Sequence, residues 1–388
     1  MGFIFSGEKA MRETGIYQKL GELDYFIPHA LPPRDPPLEI NAEIMALYGE
    51  ASFALGKLNE MSQRLPDPKR FIKAYVIKEA LLSSAIEGIH TTLLEVFTQT
   101  LDEPKCSKET QLVLNYTEAM DAACQMLTVD KLPLVSRVIL KAHEALMSSG
   151  AGDNATPGFF RKQSVRVGNL IPPPATEVPK LMSDLEKYIN EPAEGTGELP
   201  ALIRAGLAHV HFETIHPFLD GNGRIGRLLI VLMLMNDSLL SLPILYPSYY
   251  FKKHHFEYYQ KLDRVRTAGD FEGWIIYYLK AVRDSAIDAH TRAKAIEELE
   301  VELKNFIQSD ESFSRTKETA IGVLEHLFSY PITGIMEISQ KLERSYNTIQ
   351  KILEAFCGHH WISENTLYKR NRLYRFDVYL GLLEKEYS

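Results

Sequence analysis

A chain of 388 residues exceeds what one hydrophobic core usually organises, so two or three domains are expected. A net charge of -8 excludes a surface that grips nucleic acid throughout and points to proteins and small anions as partners, leaving room for a local basic patch. Cys106, Cys124 and Cys357 fit neither a disulfide framework nor a zinc site, the N-terminus lacks the regions of a signal peptide, and no run of eighteen apolar residues calls for a membrane; a cytoplasmic location is expected.

The first forty residues carry the proline-rich run from Ile27 to Ile40, which denies helix and reads as an extended arm. Apolar residues then recur at intervals of three or four, first Ile44, Tyr48, Ala51, Leu55 and Leu58, then Phe71, Ala74, Ile77 and Leu81, predicting two long helices. Helical spacing returns between Thr110 and Met147 and is broken by the glycine, asparagine and proline of Ser148 to Gly158. Alternating polar and β-branched residues over FFRKQSVRVGNLIPPP predict a short hairpin, the flap. Helices are predicted over Val178 to Ile189, Ala201 to Phe212, Arg224 to Met235, Tyr249 to Arg266 and Phe271 to Phe306. Beyond Asp310, three short helical patterns precede the alternating, basic segment Trp361 to Phe376, an order that fits a small winged helix-turn-helix.

The segment IHPFLDGNGRIGR, between two of these helices, carries residue types suited to work on a polyphosphate. Gly221 and Gly223 let the backbone aim successive N–H groups at an anion, and the turn opens into a helix N-terminus with its partial positive charge. Arg224 and Arg227 lie three apart on that helix, so both forks reach the loop; Asn222 offers a neutral donor. Asp220 offers the hard oxygen that Mg²⁺ takes, and His216 titrates near neutrality, as a general base should. Phe218 reads as an anchor for the loop.

HPFLDGNGRIGR resembles the Fic-family signature, His-x-Phe-x-(Asp/Glu)-Gly-Asn-Gly-Arg-x-x-Arg, without departure. The resemblance implies a mainly α Fic-type helical bundle with a small hairpin flap, followed by the winged helix-turn-helix. It implies domains over 1–110 (arm and inhibitory helices), 111–308 (catalytic) and 309–388. It further implies AMP transfer from ATP to a Ser, Thr or Tyr hydroxyl of a target protein, or of the chain itself. His216 would be the base, Asp220 would hold Mg²⁺, Asn222 and the glycine amides would hold the α-phosphate and its neighbours, and Pro217, Phe218 and Leu219 would belong to the ATP-binding set. Arg224 and Arg227 would hold the β- and γ-phosphates. Kinase-like toxin relatives carry lysine where this chain has Gly223.

Ser83, Glu87 and Gly88 match the family's inhibitory pattern, (Ser/Thr)-x-x-x-Glu-(Gly/Asn), and a carboxylate beside Arg227 would occupy the arginine that the γ-phosphate needs. The flap, with Arg161, Val165, Val167 and Gly168, either pairs with a target backbone or covers the core; Arg161 is alternatively bonded to loop carbonyls. By resemblance His211 lines the nucleotide pocket. His209 and His211 are two apart and fall on different helix faces, which disfavours a metal pair. Tyr250 and Lys253 read as an adenine wall, or Tyr250 as core. Dimers fit the family likeness, although no residue specifies an interface. The last 79 residues hold ten Lys/Arg and eleven Asp/Glu. Lys369, Arg370, Arg372 and Arg375 on the wing therefore read as a solvated or protein-contacting face ahead of DNA contact. Two alternatives stand beside AMP transfer: removal of AMP by the same site, and a winged-helix DNA-binding regulator that senses nucleotide.

Overall fold

The computed structural model describes residues 12–64, 68–99, 107–149, 156–190, 199–364 and 372–385. Cys106, Lys369 and Arg370 lie outside them; Cys124 and Cys357 are free thiols. No helix among the described residues is long and apolar enough to cross a membrane.

The architecture is mainly helical. It opens, however, with an antiparallel hairpin that the sequence reading left as part of the arm: β1 (Gly15–Leu20) pairs with β2 (Leu23–Pro28). The arm runs on to Asn41, whose side chain accepts the Ile44 N–H and so starts α1 (Ala42–Arg64). α2 (Pro68–Ile86), α3 (Leu93–Gln99), α4 (Lys108–Thr128) and α5 (Ser136–Leu146) follow. α2 ends where Gly88, at φ +77, takes the left-handed conformation that glycine tolerates without strain.

The predicted flap hairpin shrinks to one backbone bridge, Val167 to Leu170. Pro172, Pro173 and Pro174 supply no N–H, so the returning limb cannot continue a ladder. α6 (Val178–Asn190) is amphipathic, whereas α7 (Ala201–Ile215) and α8 (Asn222–Asn236) are buried nearly all round. These two central helices leave the signature segment as the turn between them. Burial of Ile225, Leu228, Leu229 and Ile230 from water stabilises α8 by about 1.5–3 kcal/mol each.

The helix expected from Tyr249 to Arg266 is two, α9 (Ser248–Lys253) and α10 (His255–Ala268). They part at His254, whose carbonyl accepts the Tyr277 hydroxyl. α11 (Phe271–Ser309), capped by the Asp270 carboxylate on the Gly273 N–H, is 39 residues long and lies along α1. Its Trp274 indole N–H donates to the Gly206 carbonyl of α7 at 2.7 Å.

The C-terminal part holds α12 (Lys317–Ser329), β3 (Ile332–Gly334), α13 (Ile335–Leu342), α14 (Tyr346–Gly358), β4 (Ser363–Glu364) and β5 (Leu373–Arg375), with sheet order β3-β5-β4. A further helix, α15 (Asp377–Glu384), was not foreseen. Arg292 of α11 donates to its Leu382 and Leu383 carbonyls, and the Lys78 ammonium of α2 to Leu383 O at 2.9 Å.

Gly206 is where α7 meets α11. A Cβ there would stand 2.6 Å from Cδ1 of the fully buried Tyr278 ring. Gly206→Ala should therefore cost about 1–3 kcal/mol despite alanine's higher helix propensity, read as a lower melting temperature; an unchanged or raised value would contradict this packing.

Candidate active site

His216 caps α7 at φ 51°, ψ 62°, and its N–H donates to Phe212 O. This left-handed conformation, uncommon outside glycine but enriched for histidine, turns the chain out of the helix. The new direction is fixed from behind. Arg161, 2% exposed, donates Nε–H to His216 O at 2.8 Å, Nη1 to Gln163 O, and Nη2 to Pro173 O and Ile215 O. Its own N–H donates to Pro217 O. Arg161 is thus a frame for the loop, the second of its two readings, because a guanidinium buried on carbonyls has no face left for a target.

The loop closes on itself through Asn222. The side-chain oxygen accepts the Phe218 N–H at 2.8 Å and the amide donates to Phe218 O at 2.9 Å. The Asn222 side chain therefore holds the turn. Phe218, wholly buried, stacks on His143 with centroids 3.7 Å apart. His143 Nδ1 accepts the Gly158 N–H, so Nε2 carries the proton and donates to Asp220 O at 3.1 Å. Burial pushes His143 down to about 4, which keeps this neutral tautomer. The sequence reading missed His143, although a histidine on the apolar face formed by Val138, Ile139, Ala142 and Leu146 needs a partner.

Gly221 sits at φ +79 as the cap of α8, and behind it Leu146 and Met147 leave no room for a side chain. Leu219 is half-buried and Pro217 buried. The two arginines differ. Arg227, 1% exposed, is already engaged: Nε donates to Ser83 Oγ at 2.8 Å, and Nη2 to Ser83 O at 2.9 Å and Glu87 Oε1 at 2.7 Å. Arg224, 3% exposed, touches Met147 Sδ, lies 3.8 Å from Asp220 Oδ1, and keeps Nε and Nη1 buried without a hydrogen-bond partner among the described residues. Buried unpaired guanidinium donors are costly, and an anion would satisfy them.

Burial pushes the Glu87 carboxyl up, but Arg227, Arg224 and His216 outweigh it and hold the group below the usual carboxylate range. Glu87 is ionised at neutral pH. Its Oε1 lies so close to Gly223 that a Cβ there would stand 2.2 Å away. Glu213, unnoticed in the sequence, is the counterpart. Burial, opposed by Arg227 and assisted by Glu87, pushes it up to about 8, and its Oε1 has no hydrogen-bond partner among the described residues. Burial likewise drives His216 down to about 4, so its imidazole is neutral and able to accept a proton.

Asp220 Oδ1 accepts the Gly221 N–H, and the side chain is 60% exposed at the mouth of the loop. A cavity of about 390 Å³ lies between the flap and α10, lined by Val167, Leu170, Glu213, Tyr259, Leu262 and Arg266. Val165 is half-buried, and Val167 and Gly168 are exposed, Gly168 at φ +56. Three expected pocket residues are not brought to this cavity. His211 is buried, with Asp184 of α6 the charge it feels; Tyr250 packs on His254 and Tyr277; and Lys253 lies over Tyr249. His209 bonds Gly226 O and the Tyr258 hydroxyl instead of forming a pair with His211. The aromatic residue that the cavity does present is Tyr259, whose hydroxyl feels Glu87 and Arg227.

Residues 45–125 match the Fic/DOC family N-terminal model, and residues 133–234 match the Fic/DOC family model. A protein adenylyltransferase Fic from Drosophila erecta is 30% identical over 227 residues, which cover 57% of this chain and 43% of that protein. The chain thus spans less than half the length of the curated relatives it matches. The crystal structure of a Fic family protein from Desulfovibrio desulfuricans G20 superposes with a TM-score of 0.55 at 25% identity, covering 88% of this chain and 98% of that one. Fic-1 from C. elegans shares the fold, with a TM-score of 0.50 at 21% identity, over 66% of this chain and 74% of its own.

Replacing Asn222 by alanine strands a buried N–H and a buried C=O of Phe218. The loss should be about 2 kcal/mol or more in denaturation, with faster amide exchange across 218–223. A variant as stable as the parent would show that the reciprocal pair does not hold the turn.

Proposed function

Because the chain belongs to the Fic/DOC family, we propose that it is a protein adenylyltransferase that moves AMP from ATP to a hydroxyl side chain of a protein and is held in check by Glu87. The observation that carries this reading is the contrast between the two arginines, one open to an anion and one already closed by a carboxylate.

The chain's own residues divide the work. Neutral His216 takes the proton of the attacking hydroxyl, whose oxygen forms a bond to the α-phosphorus while the bond to pyrophosphate breaks. The amides of Asn222 and Gly223, at the positive end of α8, and the unpaired Nε and Nη1 of Arg224 receive phosphate oxygens. The cavity beside Tyr259 and Leu262 offers an apolar, aromatic slot adjoining this cradle and is assigned to the base, in place of Tyr250 and Lys253. Asp220 suits Mg²⁺, since its exposed carboxylate offers a hard oxygen at the mouth; the ion would neutralise phosphate charge there.

Glu87 acts as the brake. Its carboxylate holds Arg227 and stands against Gly223, the space a phosphate needs, so polyphosphate and carboxylate compete for one guanidinium. The same ionised carboxylate, half-exposed beside His216, is placed to orient a water, which favours AMP removal as the second reading. In the C-terminal part, α12 to α14 with sheet β3-β5-β4 are read as a winged helix whose surface meets solvent or protein ahead of DNA.

Glu87→Gly should raise self-labelling with labelled ATP at least tenfold, and His216→Ala should abolish it in that background. Equal labelling with and without His216 would remove the mechanism, and label leaving a modified protein faster than it arrives would favour removal. The acid limb of kcat/KM for the Glu87→Gly variant should lie at or below about pH 4: burial favours neutral imidazole, and loss of the Glu87 carboxylate, which raises the group, moves the limb further down. A limb at the ordinary histidine value of 6.5 would contradict the burial argument.

A further inference from the structure

The flap does not hold itself in place. Val167 and Leu170 exchange both backbone hydrogen bonds at 2.9 Å, and after Ile171 three prolines end any ladder. Arg161 ties the base of the two limbs together through Gln163 O and Pro173 O, and beyond that base the anchorage comes from the N-terminal hairpin. The Phe26 N–H of β2 donates to Ile171 O at 2.9 Å, gripping the returning limb, and the Tyr25 hydroxyl lies 2.7 Å from Ser164 Oγ on the outgoing limb. Successive residues of one strand thus hold both limbs.

Tyr25 and Phe26 are buried, whereas Ser164 and its flap neighbours face solvent. Arg161, three residues before Ser164, fixes the carbonyl of His216. The hairpin is itself tied down. The Thr14 hydroxyl donates to Arg266 O at 3.1 Å, the Tyr17 hydroxyl accepts from Arg266 Nη1 at 3.0 Å, and Arg12 pairs with Glu272 at 2.8 Å. Arg266 belongs to the wall of the cavity assigned above to the base.

We propose that Tyr25 is a positioning residue for the protein target: by holding Ser164 it fixes the flap edge on which the target backbone aligns, in register with His216. This role rests on the AMP-transfer reading. A strand added to an edge gains affinity when that edge is already ordered, and a free flap would have to be ordered at the moment of binding. The proline run explains why an outside residue is needed.

The test uses full-length chains carrying Glu87→Gly, with a His216→Ala copy of the chain as acceptor. Tyr25→Phe should raise KM for the acceptor about threefold or more, the size expected for one lost hydrogen bond, and leave kcat at saturating acceptor within about twofold. Ser164→Ala should do the same, and the double variant should add nothing to either. Flap amides between 164 and 171 should exchange faster in all three, with residues 216–227 unaffected. An unchanged KM and unchanged flap exchange overturn the role. So does a fall in kcat and melting temperature without a KM effect, which would mark a merely structural bond. A Glu87→Gly parent that labels nothing overturns the AMP-transfer reading and this role with it; a parent that labels normally beside an unchanged Tyr25→Phe KM overturns this role alone.

Discussion

A guanidinium cannot stay buried without a counter-charge, and Arg227 is the point at which this chain meets that constraint. Three carboxylates are close enough to act on it. Burial pushes Glu79 and Glu213 up, so the task falls to Glu87, just past the end of α2 and 140 residues away in sequence. α2 is consequently bound to α8 by electrostatics as well as packing. It is steadied further by Glu79, one turn before Ser83, whose buried carboxyl accepts hydrogen bonds from Ser248 and Tyr116 and is pushed up to about 7 by burial. A charge that must be neutralised by something is also a charge that a ligand can claim.

The opposite face of the same turn is held by contacts of another kind. Asn222, His143 and Arg161 bind backbone carbonyls and N–H groups, so they fix shape without using the side of the loop that faces the mouth. Backbone groups are thereby satisfied from behind, while Arg224 keeps two donors unsatisfied in front. This division explains how a short turn keeps its shape while presenting unmet hydrogen-bonding capacity on one side.

Much of this was legible in the residues. Spacing of apolar positions located α1, α2, α6, α7, α8 and α11 to within a few residues, and the signature segment placed the loop between two of them. The Ser83–Glu87 pattern named the partner that Arg227 has. Other features were hidden for physical reasons. α7 and α8 are buried on every side, so periodicity could not say which way His211 points, and it turns to α6. Tyr250 and Tyr259 belong to one aromatic-rich stretch, and the break at His254 decides which of them reaches the cavity. β-branched alternation suggested a flap hairpin, but Pro172 to Pro174 removed the donors it required. Glu213 gave no motif at all; only its burial beside Gly226 and Arg227 makes it visible.

α11 runs without interruption from the capping Asp270 to Ser309, about 58 Å of rigid rod at 1.5 Å per residue. Near its start Trp274 holds α7, and just past its middle Arg292 holds α15. The orientation of the C-terminal module is therefore a matter of helical phase. One residue inserted between those two contacts would swing the module by about 100° and push it 1.5 Å outward, detaching it from α2 unless the helix locally overwound. Insertions or deletions in this stretch should survive only in whole turns.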